Sequence, residues 1–511
     1  MAFTVAVQRL APVEPRWCSP GNVGPAPVTA VLISVRSVLA RDRRTDGVQV
    51  VGALVAGLVA AIVAATMDPL NAVGLGGGMV LILLGIRWPL LPLFVFVALV
   101  PIEDTVNVTG LGTLSRWSGI VFAAVYAIPR LGRLTPGALP LAAWAYVGWA
   151  VLSLSWALDP FVTQGQLQTL IQLTVIGFLV ADVVIHDPTV VRPLLWVYSI
   201  SAAATAAIGV ASYLVGGAAG DGRVAAIANQ NPAQFASLLL PALIFGLHEL
   251  LQGRRVVASS LIALLCTAGI VLSGTRSVWV AAGAVVFFLF LPRLGVRRAI
   301  VALGVVGILV IVTLQIPGVG ALIAERTDPA AVSGGAGRTD IWAVGIKIVE
   351  SSPVIGVGYS NFPVAFTSAL IRSANVAADI GTGRGPHSVL VGTLGELGVV
   401  GLVLLALFII PLIVRRGWGP DGLLIQAIVA SLMIDALFLD VLSNRKQVWV
   451  AIGMAAGLAY LAKRARRRGE VTPAETGAPG RTGAPATAGA PSPPPNGRRR
   501  AIPGAAPGST A

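Results

Sequence analysis

The stretch Leu390–Val414, LVGTLGELGVVGLVLLALFIIPLIV, contains one charged residue, Glu396, in a run long enough to cross a bilayer as a helix. Such a crossing takes about 20 mostly apolar residues. Similar runs recur along the 511-residue chain, which is 56% hydrophobic and only 11% charged. Soluble domains carry about 25% charged residues, and no soluble core buries so much apolar surface. The sequence therefore predicts an all-α, polytopic integral membrane protein.

Apolar runs of this length predict about 12–14 transmembrane helices, the second to fourth of them short or interrupted by Gly and Pro. The predicted spans are 48–67, 70–85, 88–101, 117–129, 138–157, 165–184, 192–214, 233–249, 256–272, 277–292, 299–316, 390–414, 421–441 and 446–462. Residues 1–47 show no signal-peptide pattern with a cleavage site. The first span is therefore expected to act as a signal anchor.

The arginines predict the sidedness of the chain. With the N-terminus in the cytoplasm, every predicted cytoplasmic loop carries at least one Arg, as the positive-inside rule requires. These arginines are Arg87, Arg130, Arg133, Arg192, Arg254, Arg255, Arg293, Arg297, Arg298, Arg415 and Arg416. An even number of spans then returns the C-terminus to the cytoplasm. The expected location is the inner, cytoplasmic membrane, with both termini inside.

The formal net charge of +14 lies mostly in the two tails. Residues 1–47 hold six Arg against three acidic residues, and residues 463–511 hold nine Lys and Arg against two acidic residues. Cytoplasmic tails of this kind interact with anionic membrane lipids. This distribution argues against a nucleic-acid partner, because it does not form a basic groove on a folded surface.

The chain divides into five predicted regions. They are a basic cytoplasmic tail (1–47), N-terminal transmembrane helices (48–316), a large extracytoplasmic loop (317–389), C-terminal transmembrane helices (390–462) and a disordered, Pro/Ala/Gly-rich basic tail (463–511). Within the loop, Arg338–Ser351 has apolar residues at helical spacing. We expect this amphipathic helix to lie along the membrane surface, with Trp342 at the level of the lipid headgroups.

Three residues on the predicted outer side are candidates for chemistry. Arg276 lies in the short hairpin Ser273–Arg276. The alternative interpretation of this residue is an arginine that only anchors the chain at the membrane interface. Arg338 opens the amphipathic helix, where a cation opposes the helix dipole unless an anion also binds there. His387 lies at the end of the large outer loop, immediately before a predicted spanning helix. A helix N-terminus disfavours the positive form of histidine, so a neutral imidazole able to accept a proton is expected. The alternative is a structural histidine.

Further polar residues map to the same predicted face: Arg223, Asn231 and Arg445. The alternative for Asn231 is a helix cap. Glu396 lies about two turns into its helix, and its alternative is pairing with Lys446 or Arg445. Two or more guanidiniums on one face can hold a phosphate or diphosphate bidentately. At an outer leaflet, the natural anion of this kind is a lipid-linked diphosphate sugar.

The order of the motifs resembles the O-antigen ligase and O-antigen polymerase superfamily over about residues 220–460. The motifs are Ser273-Gly274-Thr275-Arg276, Gly337-Arg338-Thr339-Asp340-Ile341-Trp342, Pro353 with Gly356-Val357-Gly358-Tyr359, His387, and Glu396-Leu397-Gly398. The resemblance implies a glycosyltransferase that moves a glycan from an undecaprenyl-diphosphate carrier to a glycan, lipid or protein acceptor. It also implies that no metal, nucleotide sugar or other cofactor takes part.

The same resemblance implies roles for individual residues. Arg276 and Arg338 match the diphosphate-binding arginines, and His387 matches the essential histidine of the family. Asp340, Trp342, Tyr359 and Glu396 are further predicted substrate contacts, with Trp342 and Tyr359 offering faces on which a sugar can stack. Ser388 departs from the family, in which an Asn usually follows the histidine.

Two other classes of protein are alternatives. A transporter, such as a flippase of lipid-linked glycan or a small-anion carrier, suits the high number of spans. Transporters tend to have internal repeats and broken helices near the middle of the membrane, whereas this sequence has no evident repeat and collects its polar residues on one face. A scaffold for envelope assembly leaves the grouped Arg and His residues without a role.

Overall fold

The computed structural model describes residues 69–103, 107–108, 112–216, 223–226, 230–290, 296–316, 318–327, 338–372, 382–415, 417–419, 421–439, 442 and 444–469. The helices are α1 (Pro69–Arg87), α2 (Leu91–Leu99), α3 (Leu114–Ala127), α4 (Leu141–Leu152), α5 (Pro160–His186), α6 (Val191–Leu214), α7 (Pro232–Leu251), α8 (Val256–Leu272), α9 (Arg276–Ala284), α10 (Val296–Leu314), α11 (Val319–Thr327), α12 (Arg338–Ser351), α13 (Phe362–Arg372), α14 (Val389–Val414), α15 (Gly422–Ala436) and α16 (Lys446–Arg467). Short 3-10 turns cover Ile128–Arg130, Ser153–Ser155 and Pro188–Val190, and the two-residue strands β1 (Asn107–Val108) and β2 (Gly112–Thr113) pair antiparallel.

The predicted all-α membrane fold is confirmed. Each predicted span from 70–85 onward contains a helix. Five helical stretches in the described part of the chain are long and apolar enough to cross a membrane on their own: Pro160–His186, Pro188–Leu214, Pro232–Leu251, Val389–Val414 and Lys446–Arg467. The predicted first span, 48–67, and most of both tails lie outside the described residues. The total of 12–14 spans and the five-region division therefore stay predictions.

Two predicted spans differ in form from a single α-helix. The 88–101 run forms only the nine-residue helix α2, whose first turn contains a proline. The 277–292 run begins as α9 and continues as a π-helix over Val285–Phe290. Hydropathy predicts that such a run is buried in lipid or protein, but it does not fix the hydrogen-bond pattern of the backbone.

The closest helix packing joins α5 to α16. A Cβ atom built on Gly453 would lie 2.5 Å from the Gly177 carbonyl oxygen, and one on Gly457 would lie 2.8 Å from the Ala181 carbonyl oxygen. Small residues at this spacing let two membrane helices approach along their backbones. The Trp449 indole on α16 is fully buried and donates to the Leu442 carbonyl at 2.9 Å. These contacts fix the beginning of α16, immediately after Arg445.

The predicted helix at Arg338–Ser351 is confirmed with the same bounds as α12, whereas its predicted place on the membrane surface stays a prediction. Its buried residues Ile341, Val344 and Ile348 form a cluster with Phe362 and Phe366 of α13. The apolar side of α12 thus packs on protein because α13 supplies a complementary face. Sequence periodicity identifies an apolar side but not the surface that covers it.

A break interrupts α14 at Gly398, whose φ of 66° and ψ of −168° are non-helical. The turn Pro353–Gly358 inserts there. Val357 N donates to Gly395 O and Gly358 N donates to Glu396 O, both at 2.9 Å, while Val399 N donates to Pro353 O at 2.9 Å. The backbone groups freed by the break are therefore paired with the turn, which joins the loop to α14.

The bundle has two polar ends. We call the end that carries Arg276, Arg338 and Arg445 the arginine end. At the opposite end, Arg192 bridges helices by contacting Glu249 at 3.1 Å and Asp421 at 2.7 Å. Residues that the sequence assigns to one side of the membrane thus meet at one end, although which end faces the cytoplasm stays a prediction.

Candidate functional site

The turn that precedes α9 sets the position of Arg276, the first residue of that helix. Gly274 has a φ of 62°, a conformation that favours glycine. The Arg223 guanidinium donates from Nε to the Ser273 carbonyl at 2.9 Å and from Nη2 to Thr275 Oγ1 at 3.2 Å. Arg223, predicted as a substrate contact, is thus placed against the turn that holds Arg276.

Arg338 begins α12 and is half-buried at the arginine end. Burial is the main cause that lowers the pKa of Arg338; the nearby Arg276 cation lowers it further, and the Asp435 carboxylate raises it. Burial and the neighbouring cation both disfavour the charged form of Arg338. An anion bound near Arg276 and Arg338 would offset this cost, because both guanidiniums attract it. Asp340, in the first turn of α12, adds a carboxylate near the same helix start.

Asp435 is the central residue that sequence reasoning missed. It lies in the last turn of α15 with 0% exposure, in the field of Arg338 and Arg445 and beside the hydroxyls of Ser237 and Ser277. Neither carboxylate oxygen makes a hydrogen bond of good geometry. A signal was present in the sequence: a carboxylate inside an apolar span is costly and marks a functional position.

His387 lies two residues before α14, with a φ of 47° that non-glycine residues rarely adopt. The indole Nε1 of Trp342 donates to the Pro386 carbonyl at 3.1 Å. The Trp342 ring also lies 6.5 Å from that of Phe438, three residues beyond Asp435. Since Trp342 is one turn from Arg338 on α12, this contact brings His387 to the same end as the arginines.

Three predicted substrate contacts also make contacts within the protein, and their substrate roles stay predictions. Asn231 caps α7, with its side-chain oxygen accepting from Ala233 N at 2.9 Å, as the alternative for this residue predicted. Tyr359 is buried, with 3% of the residue exposed. Its backbone N donates to Ser153 Oγ at 2.9 Å, and its carbonyl accepts from Thr163 Oγ1 at 2.9 Å.

The third of these is Glu396. Its Oε1 accepts from Phe362 N at 3.4 Å, at the start of α13, where the helix dipole favours a carboxylate. Lys446 pairs with Glu103 and also donates to Thr113 and Ser115, while the predicted alternative for Glu396, pairing with Lys446 or Arg445, stays a prediction. Glu396 is thereby oriented towards α13.

The arrangement at the arginine end is suited to an anion rather than a cation. Arg338 and Arg445 act on one buried carboxylate, Asp435, and Arg276 acts on Arg338. His387 follows Pro386, whose carbonyl accepts a hydrogen bond from Trp342 of the same helix as Arg338. Guanidiniums offer planar pairs of donors that match phosphate oxygens. In the part of the chain that the structure describes, no three His, Cys, Asp or Glu side chains group as metal ligands.

The fold and these charges define a polytopic membrane protein with a cationic, partly buried site at one end of its helices. A family model described as O-antigen ligase matches residues 261–406, from within α8 to within α14. The match confirms the resemblance to the O-antigen ligase superfamily, whose members are glycosyltransferase-like ligases and polymerases. It includes Arg276, Arg338 and His387, whereas Asp435 and Arg445 lie beyond it. No curated protein matches the chain.

Proposed function

We propose that the protein transfers a glycan from undecaprenyl diphosphate to an acceptor hydroxyl at the outer face of the cytoplasmic membrane. The observation that carries this proposal is the pairing of Arg338 with a second cation, Arg276, beside the buried carboxylate Asp435 in an O-antigen-ligase-like chain. The two guanidiniums belong to different helices, α9 and α12. A diphosphate placed between them receives charge-assisted hydrogen bonds from both.

The proposed step is a single displacement at the anomeric carbon. The acceptor oxygen forms a new bond to that carbon, and the bond from the carbon to the diphosphate oxygen breaks with its electron pair staying on the diphosphate. Arg276 and Arg338 stabilise the negative charge that develops there, which is usually the largest contribution in such sites. The configuration of the sugar is inverted.

His387 accepts the proton of the acceptor hydroxyl in this proposal. Its placement supports the role because Trp342 fixes the preceding residue, Pro386, through a hydrogen bond from the helix that carries Arg338. A general base near neutral pKa suits proton transfer at physiological pH. The acceptor is a hydroxyl of a glycan, a lipid-borne sugar or a protein.

The test is an assay of the purified protein in detergent with an undecaprenyl-diphosphate oligosaccharide and a sugar acceptor. The expected result is release of undecaprenyl diphosphate together with an extended acceptor, with no nucleotide added. A protein that moves the intact lipid across liposomes but never cleaves the sugar–phosphate bond is a flippase, and this proposal is then wrong.

A further inference from the structure

A trio of oxygen-bearing side chains lies beside the arginines: Ser237 on α7, Ser277 on α9 and Asp435 on α15. Ser237 and Asp435 are 0% exposed and Ser277 is 5% exposed. The two hydroxyls neighbour the carboxylate, yet none of the four oxygens makes a hydrogen bond of good geometry. Both hydroxyls thus act on the carboxylate as hydrogen-bonding groups without forming a bond of good geometry. Buried polar groups are well paired in the great majority of cases, so this loosely paired trio requires an explanation.

The charges around the trio limit what it can bind. Carboxylate and hydroxyl oxygens are ligands for hard cations, but Arg338 and Arg445 act on the same carboxylate and disfavour a second positive charge. A neutral hydroxyl suits the trio better. It can donate its proton to Asp435 and accept from a serine, so one group satisfies partners of both kinds.

The position of the trio relates it to the proposed donor. Ser277 directly follows Arg276 in α9, and Asp435 acts electrostatically on Arg338. A diphosphate held by these two arginines carries its sugar on the adjoining oxygen. The sugar attached to the phosphate is therefore the part of the donor that reaches Ser237, Ser277 and Asp435.

Resting on the proposed function, we infer that Ser237, Ser277 and Asp435 form a subsite for the hydroxyl groups of the first sugar of the donor. The arginines recognise the diphosphate, which every lipid-linked donor shares, and the trio recognises the sugar. Sites that hydrogen-bond a substrate hydroxyl discriminate strongly against ligands that lack it, because the buried groups are then left unpaired.

The experiment compares two ligands on the same protein in the same detergent: undecaprenyl diphosphate and undecaprenyl diphosphate carrying one N-acetylhexosamine. For Ser237→Ala and Ser277→Ala, the Kd of the sugar-bearing ligand should rise about 3- to 12-fold, as expected for one lost hydrogen bond. The Kd of undecaprenyl diphosphate should stay the same. Asp435→Asn should also reduce the difference between the Kd values of the two ligands.

Ser199→Ala is the matched control. Ser199 is 0% exposed and its hydroxyl is also unpaired, but it lies on α6, about two turns from Arg192 of the opposite end. This variant should change neither Kd. An unchanged ratio of the two Kd values in Ser237→Ala and Ser277→Ala, or an equal weakening of both ligands, would overturn the sugar subsite.

The outcome separates this inference from the proposed function. If the wild-type protein releases undecaprenyl diphosphate from the donor while the serine variants keep the wild-type ratio, only the subsite is wrong. If the wild-type protein binds neither ligand, the proposed donor is wrong and the subsite is overturned with it.

Discussion

The two ends of the bundle use the same residue types in opposite ways. At the opposite end, Arg192 contacts both Glu249 and Asp421, so two carboxylates share one guanidinium. At the arginine end, Asp435 is in the field of Arg338 and Arg445 and beside the hydroxyls of Ser237 and Ser277, but neither of its oxygens accepts a hydrogen bond of good geometry. The charges at the opposite end pair with one another and hold helices together. The second leaves buried polar groups available, which is costly for stability and therefore indicates a binding role.

The largest effect is expected for His387→Ala, since it removes the proposed proton acceptor. Turnover should fall by about 10²- to 10⁴-fold, while binding of undecaprenyl diphosphate should stay nearly intact because the arginines remain. The matched control is His186→Ala, whose ring Nδ1 contacts the Asp182 carbonyl at 2.9 Å. Near wild-type turnover in His387→Ala would show that the arginine end has no histidine-dependent chemistry.

Arg192→Met tests the structural half of the comparison. The change leaves Glu249, which is 2% exposed, without its cationic partner. Removing one partner of a buried ion pair costs on the order of 3 kcal/mol in the free energy of unfolding. Denaturant unfolding in detergent should show this loss, and turnover per folded molecule should be unchanged. Wild-type stability together with lost turnover would make the opposite end functional.

Arg276→Lys and Arg338→Lys should each lower turnover by about 10- to 150-fold, the loss of about 1.5–3 kcal/mol for one charge-assisted contact. Lysine keeps the charge but loses the planar pair of donors that grips a diphosphate. Arg116→Lys is the control, because Arg116 is exposed and its backbone N donates to the Thr113 hydroxyl, a bond that the substitution leaves in place. Full activity of both lysine variants would leave them as simple interfacial anchors.

The smallest effect is expected for Asn231→Ala, which removes the cap of α7. The free energy of unfolding should fall by about 1 kcal/mol, and Asn231→Asp should restore it because a carboxylate also accepts from Ala233 N. Turnover at a temperature where both variants are folded should equal that of the wild type. A loss of turnover in the aspartate variant would return Asn231 to the substrate contacts.

Hydropathy alone predicted the helices well, because each apolar run had to satisfy its backbone internally. The bounds of α12 followed from the apolar spacing within the helix and from Pro353, which lies just after its end. Its covering partner, α13, did not follow, since the pairing depends on contacts between distant segments. The break at Gly398 was likewise missed: Glu396-Leu397-Gly398 lies in a run that hydropathy treats as one continuous span.

The candidate site was predicted in part. Arg276 and Arg338 come from separate segments, and the Arg276 cation does act on Arg338. Asp435 was missed because the 421–441 run was treated only as a span. Tyr359 and Glu396 were predicted as substrate contacts because they accompany the arginines in the motif order, yet their partners Ser153 and Phe362 come from elsewhere in the chain. A motif shows which residues occur together in the sequence, not the direction in which each side chain points.

The Pro353–Gly358 turn meets the break in α14 through hydrogen bonds between backbone atoms. The side chains of Val354 and Ile355 are 59% and 37% exposed, so they contribute little to that junction. At Gly356 and Gly398, in contrast, an added Cβ would lie 2.3 Å and 2.1 Å from backbone atoms across the junction. Related chains should therefore vary freely in identity at 354 and 355. They should not tolerate an inserted or deleted residue between 353 and 358, because a change in length moves every donor past its acceptor.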